Sequence, residues 1–494
     1  MGSRIEHGRR NTMLQASSDL TRRGFVQVMA GASGAAAWPF CVRAEVSSVM
    51  ATLAAYMSQA GTRALPGAVV LETKNHILDT LAAAVSGSKL PPGIQALKFA
   101  EAYGGQGGAT IVASSLVAGP IEAAIINGAL AQADETDDNY SAGGAHPGCA
   151  VIPAALAMGE VFGVDGMRFL RAVTLGYDIG MRAMKTILGR TVLRDTHNIV
   201  GSFGASAAAG CIAKLSAQQM RWLIDYTSQQ AGGGYGVWQR DTEHMEKAFV
   251  FGSMTARNGI TAAMLIHSGW TGVDDVFYGH ENFFQSYAPN AKPEGFIDRL
   301  GESYEVTQTI IKKWSTGGPI QSPLDAILNL RNQHPFEADQ VKEIVVHLST
   351  SAASKVDNVL SPDLCIQYLV AVMLLDRTVS FRAAHDIARM TDAAIVRQRK
   401  KVTVVAEQRL EDLLPRRVAV VEITLNDGTK LSEENDTVRG TPENPMTQDE
   451  IVEKARDLIV PVLGADKCTK LVQAIYTLEK VNNIRDLRPL LQRT

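Results

Sequence analysis

A large helical domain joined to a smaller α+β domain is the fold class this sequence predicts, and three observations point to it. From Val46 to about Ser303 the apolar residues recur mostly at helical spacing. After about Thr307 the pattern changes: Val341 to Leu348 alternates and is rich in branched residues, as a strand should be. Composition agrees, since 43 glycines, many alanines and only 6% aromatic residues suit closely packed helices. At 494 residues the chain is too long for a single compact core and suits two or three domains.

In chain order, the first feature is Thr21-Arg22-Arg23-Gly24-Phe25-Val26, a twin-arginine pattern followed by a modestly apolar run from Val26 to Trp38. Val42-Arg43-Ala44 has small residues at the two positions a signal peptidase recognises. Residues 1–44 therefore read as a Tat-type export signal, and a soluble periplasmic chain is expected from near Glu45. The apolar run is too short and too rich in Gly and Ala for a stable anchor, and no later stretch is long enough, so no stable membrane insertion is expected.

Lys74 to Ala84 has the spacing of an amphipathic helix, ended by Gly87 and Pro91-Pro92-Gly93. Further helices are predicted over Pro120 to Ala133, Pro153 to Gly163, Gly166 to Leu188, Ser202 to Leu215 and Met254 to Gly269. On the helix from Gly166, Asp178 and Arg182 are four residues apart and can pair on one face. Past the strand at Val341, the run Val418 to Leu425, Asn426-Asp427-Gly428, Thr429 to Ser432 has the form of a β-hairpin. Helical segments Ser322 to Gln333 and Ile366 to Leu375 lie before it, and Thr447 with Glu450 forms a capping box that opens a helix from Gln448 to Ile459. The domain boundaries that follow are 46–307 for the first helical part, 308–441 for the α+β domain and 442–494 for a helical return onto the first domain.

Several chemistries are disfavoured. There is no phosphate-binding G-x-x-x-x-G-K-[ST], no G-x-S-x-G nucleophile elbow, no H-E-x-x-H, and no G-x-G-x-x-G after a strand. The net charge of -3 attracts neither nucleic acid nor a membrane surface. The five cysteines, Cys41, Cys149, Cys211, Cys365 and Cys468, are scattered in apolar or small-residue surroundings, which suits buried thiols better than disulfides or a zinc site. Neither a cofactor nor a metal is expected.

Four segments carry chemical potential. Asp134-Glu135-Thr136-Asp137-Asp138-Asn139 places four carboxylates at a helix exit ahead of His146-Pro147-Gly148. Burial and mutual repulsion would raise at least one of these carboxyls, which suits a general acid or base, whereas a solvated acidic loop is the plainer reading of that segment alone. Arg194-Asp195-Thr196-His197-Asn198 leads into a Gly-rich helix start, which can meet an anion or be a simple polar cap. Gln230-Ala231-Gly232-Gly233-Gly234 is followed by Lys247, whose apolar successors suggest partial burial. Lys312-Lys313-Trp314 and Gln367-Tyr368 complete the set, although a tyrosine at a helix start is more often core.

Together and in this order these segments resemble the MmgE/PrpD family of 2-methylcitrate dehydratases and cis-aconitate decarboxylases, over nearly all of residues 46 to 490. Gly176-Tyr177-Asp178 with Arg182, Gly201-Ser202-Phe203-Gly204-Ala205, Gly269-Trp270-Thr271-Gly272-Val273 and Pro442-Glu443-Asn444-Pro445-Met446-Thr447 carry the same likeness. The resemblance implies a helical domain with an α+β lid, an active site between them, a homodimer, no metal and a small carboxylate substrate. It assigns catalytic roles to Glu135, Asp137, Asp138, His146, His197 and Tyr368, and substrate contacts to Asn139, Lys247 and Lys312. It also shows departures. The family's first acidic-motif Asp is Glu135 here and its Thr is Asn139; its second histidine aligns with Asp195, two residues from His197; and two further histidines fall at Val250 and Gly317.

The expected reaction is a cofactor-free lyase reaction, dehydration or decarboxylation of a di- or tricarboxylate. Lys247 and Lys312 would hold carboxylates, His146 and Tyr368 would move the proton, and Asp137 or Asp138 would orient His146 or act as base. Two alternatives stand beside it: an epimerase or isomerase working by proton transfer alone, and a non-catalytic periplasmic carboxylate-binding protein.

Overall fold

A computed structural model describes residues 46–140, 144–189, 196–231, 236–241 and 243–493. The predicted export signal, Asp195 and the glycines at 232 to 234 lie outside the described residues. The protein is mainly α with a smaller mixed part, the fold class read from the sequence.

The longer helices of the body are α1 (Ser48–Gln59), α2 (Gly67–Gly87), α3 (Pro91–Tyr103), α4 (Pro120–Ala131), α5 (Gly148–Phe162), α6 (Gly166–Ile187), α7 (His197–Ile212), α8 (Ala217–Gln230) and α9 (Met254–His267). Two departures from the sequence reading have simple causes. Pro91 and Pro92 do not merely end α2; they occupy the first turn of α3, where a missing N–H costs nothing. α5 begins five residues before Pro153, because the Asp138 carboxylate accepts the Gly148 N–H at 3.0 Å and so caps an earlier start. The predicted Asp178–Arg182 pair forms at 3.0 Å inside the body, where the Tyr56 hydroxyl also donates to Asp178 at 2.8 Å.

The mixed part starts with α10 (Gly318–Gln333) and also contains α11 (Ile366–Asp376). Its sheet has strands β1 (Val341–Ser349), β2 (Val402–Glu407), β3 (Ala419–Leu425) and β4 (Lys430–Asn435), in the order β2-β1-β3-β4. β2 runs parallel to β1, and the other two pairings are antiparallel. The predicted hairpin is β3–β4, with Gly428 at φ 88° in its turn, where a side chain would be strained. Apolar residues from Trp314 to Leu431 form one core, and those of the body form another that includes Ile451, Ala455, Leu458 and Ile459 of α12 (Gln448–Leu463). The chain thus leaves the body, builds the sheet, and returns. The return is anchored by the Thr447–Glu450 capping box and by Lys454, whose Nζ lies 2.6 Å from Asp79 of α2. Among the described residues no helix is long and apolar enough to cross a membrane.

Candidate active site

The acidic loop after α4 is buried, not solvated: Asp137 and Asp138 are 0% exposed and Glu135 is 9% exposed. Four carboxylates can be taken out of water only where each finds a partner, and the partners come from every side. Lys454 donates to the Thr136 carbonyl at 3.0 Å, and Lys312 to the Glu135 carbonyl at 2.6 Å. Asn139 exchanges backbone hydrogen bonds with Ile310, which ties the loop to the segment carrying Lys312.

Asp138 is a fixed acceptor. It takes the Tyr177 hydroxyl at 2.5 Å and the Gly148 N–H at 3.0 Å, and its Oδ2 lies 2.8 Å from His76 Nδ1. Burial would raise its carboxyl, but His76 and Tyr177 outweigh that and hold it below the usual value. Asp134, at the other end, lies 2.9 Å from His385 Nε2 and accepts the Thr136 N–H at 3.0 Å. Burial disfavours the His385 cation, yet Asp134 raises its pKa to about 9.

The middle of the loop faces three cationic or basic side chains. Lys247 Nζ donates to Glu135 Oε1, and Lys312 Nζ lies 3.7 Å from Glu135 Oε2 and 3.8 Å from Asp137 Oδ1. Burial works against the Glu135 carboxylate, but the two lysines hold its pKa well below the ordinary range. Burial lowers Lys312 despite Asp137 and Glu135, whereas at Lys247 the Glu135 carboxylate overcomes burial and raises it. His146 Nδ1 lies 2.9 Å from Asp137 Oδ1, and its Nε2 makes no hydrogen bond among the described residues. Burial, then Lys312 and Lys247, push the His146 pKa well below its ordinary value; burial and the neighbouring Asp138 push Asp137 well above. Both shifts favour an uncharged pair, a neutral imidazole beside a carboxylic acid.

Local backbone geometry brings Lys247 to this loop. It sits in the short helix Met245–Ala248, which runs into a π-turn at Phe249–Ser253. Gly252 in that turn meets Gly128 of α4 backbone to backbone, and a methyl group on either would overlap the other's main chain. The same turn presents Phe251, against which the His197 ring stacks at 3.9 Å between centroids. His197 opens α7, lies 2.9 Å from the Gly144 carbonyl oxygen through Nε2, and has its ring 6.2 Å from that of His146. His197, two residues past the position that aligns with the family's second histidine, stands beside His146.

Of the residues proposed from sequence, Glu135, Asp137, Asp138, His146, His197, Lys247 and Lys312 come together here. Asn139 stands at the edge, on a cavity of about 310 Å³ that Lys312 also lines. Tyr368 does not join them. It is fully buried in the core of the mixed part and donates to the Ala383 carbonyl at 2.6 Å, while burial pushes its pKa to about 12. Its hydroxyl therefore fixes the segment that presents His385, two residues past Ala383, and forms no hydrogen bond to the acidic loop. Sequence reading missed His76, His385 and His244, the last lying 3.9 Å from Glu135 and 3.6 Å from Asp363. None carries a local motif; only its spatial neighbours give it a role. Cys149 donates to the His146 carbonyl at 3.2 Å, and burial keeps it a thiol. Among the described residues no three His, Cys, Asp or Glu side chains are grouped to hold a metal ion.

Buried carboxylates, two lysines and two histidines thus meet at one place, a grouping whose chemistry suits proton transfer. The chain belongs to the MmgE/PrpD family: the family's N-terminal domain model matches residues 51–295 and its C-terminal domain model residues 314–479. Its relatives include a cis-aconitate decarboxylase-like protein of Aspergillus oryzae, 26% identical over 90% of this chain and 97% of the relative. The cis-aconitate decarboxylase of Aspergillus terreus is 24% identical over 90% of this chain and 96% of its own length. The human cis-aconitate decarboxylase is 23% identical over 86% and 90%.

Proposed function

We propose that this protein is a lyase that removes carbon dioxide or water from a small di- or tricarboxylate of the cis-aconitate or citrate type. The observation that carries this reading is His146 Nδ1 lying 2.9 Å from the fully buried Asp137 carboxyl, with the buried Lys312 Nζ 3.8 Å from the same oxygen. In decarboxylation the bond to the departing carboxylate breaks, and its electron pair stays on carbon, which needs a proton. His146 Nε2–H supplies it, Nδ1 recovers a proton from Asp137, and the new Asp137 carboxylate faces Lys312. In dehydration the imidazole works in its other tautomer: with its proton on Nδ1 toward Asp137, Nε2 takes the acidic proton next to a carboxylate, and the resulting imidazolium returns it to the leaving hydroxyl, which departs as water. Lys247 and Lys312, which now neutralise Glu135, hold the substrate carboxylates. Tyr368 acts as a positioning residue for the His385 segment.

A second reading, isomerisation by proton transfer, is favoured by the nearness of the two imidazoles of His146 and His197. Both readings meet one test. The full chain is mixed in heavy water with cis-aconitate, citrate, 2-methylcitrate and related acids and followed by proton NMR. Loss of substrate with new vinyl signals is the expected result. Deuterium uptake without a new compound would replace the lyase by an isomerase. An unchanged panel would overturn both in favour of carboxylate binding without turnover.

A further inference from the structure

Besides Lys312, the cavity is lined by two arginines, exposed Arg416 and partly buried Arg417, and among the described residues neither forms an ion pair with the acidic loop. The cavity measures about 310 Å³ and lies between body and mixed part, with Asn139, Ile310, Lys312, Gly318, Gln321 and Arg417 among its walls. Arg417 stands two residues before β3 and is partly buried. Its guanidinium rests on Gly318, the first residue of α10, so closely that a methyl group there would overlap Nη1 and Cζ. Among the described residues Arg417 makes no hydrogen bond and no ion pair. Asp436 and Glu443, the carboxylates on the same cavity, are exposed and do not pair with it. Burial lowers the Arg417 pKa and the Glu135 carboxylate opposes that, which puts the guanidinium within electrostatic reach of the acidic loop.

A guanidinium offers five N–H donors in a rigid fork that matches a carboxylate with two parallel hydrogen bonds. Among the described residues none of them is used, and the cavity they border already has an ammonium group, Lys312, in its wall. Gly318 leaves the space that lets the fork lie there. Extending the carboxylate-lyase reading above, we propose that Arg417 binds a non-reacting carboxylate of the substrate, so that it selects acids with one more carboxylate than Lys247 and Lys312 can hold. The reacting end of the substrate then lies toward Lys312 and His146, and the far end against Arg417.

Calorimetric binding of two inert probes to the full chain tests this: tricarballylate with three carboxylates and glutarate with two. The wild type is expected to prefer tricarballylate. Arg417→Gln is expected to weaken tricarballylate by about tenfold, the scale of one charged hydrogen-bonded contact, and glutarate much less, so that the preference collapses. Arg417→Lys keeps the charge without the fork and should lose part of the preference. Gly318→Ala should lose it by displacing the guanidinium with its charge intact. Arg397→Gln, at an exposed arginine off this cavity, should leave both affinities within about twofold. The three test variants are first compared with the wild type by thermal unfolding, so that the conclusion rests on those that retain its midpoint. A preference that survives in such variants overturns the role of Arg417 and leaves the lyase reading standing. A wild type that binds neither probe overturns both.

Discussion

The ends of the acidic loop and its middle are built on opposite plans. Asp134 and Asp138 are each paired with a histidine, and their remaining oxygens take N–H or O–H donors, so each carboxylate is fixed and satisfied. Glu135 and Asp137, between them, face the lysines and His146, and Asp137 Oδ2 is buried with no hydrogen-bond partner among the described residues. A carboxylate saturated with donors keeps its charge and holds structure, whereas one left short of donors has a pKa free to move, and such a group can exchange protons. Four neighbouring acids thus separate by their surroundings, not by their chemistry: Asp134 and Asp138 are anchors, Glu135 is held charged by the lysines, and Asp137 is the group placed to exchange a proton.

The largest effect should come from the working side. His146→Ala is expected to lower kcat by about a hundredfold to ten-thousandfold with the melting temperature little changed, the range for loss of a general acid or base. Turnover of the NMR-identified substrate within tenfold of wild type would place the proton transfer elsewhere. Asp138→Asn should do the reverse. It strands His76 and Tyr177 around a neutral amide and should cost about 3 kcal/mol of stability, as breaking a buried pair does; denaturant unfolding reads it directly. A stable Asp138→Asn protein with lost activity would move Asp138 from anchor to catalyst.

The His385–Asp134 anchor gives a smaller, pH-dependent signal. Folding raises the His385 pKa from 6.5 to about 9, so the folded state binds the extra proton. The stability this adds is fully present below pH 6.5 and is lost as pH rises through about 9. The melting-temperature gap between wild type and His385→Gln should therefore be widest in mild acid and close toward pH 9; a gap that widens with pH would contradict the pairing. The smallest effect concerns Glu135. Its carboxylate competes with substrate for Lys247 and Lys312, so Glu135→Gln should tighten tricarballylate binding by roughly threefold to tenfold. Weaker binding would mean that Glu135 preorganises the lysines rather than occupying them.

Much of this was legible in the sequence because it was local or periodic. Helical spacing located most of the body's helices, the Asn426-Asp427-Gly428 turn located the hairpin, and Thr447 with Glu450 located the start of α12. The resemblance brought Glu135, Asp137, His146, Lys247 and Lys312 forward as one group. What escaped was set by contacts far along the chain. Whether the acidic loop was wet or buried depended on Lys312 and Lys454, and whether Tyr368 served chemistry or packing depended on the Ala383 carbonyl. β2, the parallel partner of β1, showed no alternation strong enough to mark it, since a parallel neighbour is specified by the crossover that leads to it.

The hydrogen bond from Lys454 to the Thr136 carbonyl spans 318 positions of sequence. During synthesis, the segment bearing all four acids leaves the ribosome long before the lysine that closes over it. At about 5–20 residues per second that interval lasts tens of seconds. The β3–β4 hairpin can pair within this time from its own short segment, but the acidic loop must wait with its carboxylates hydrated. The active centre therefore becomes dry only late, and a chain cut short before α12 would leave it open to water.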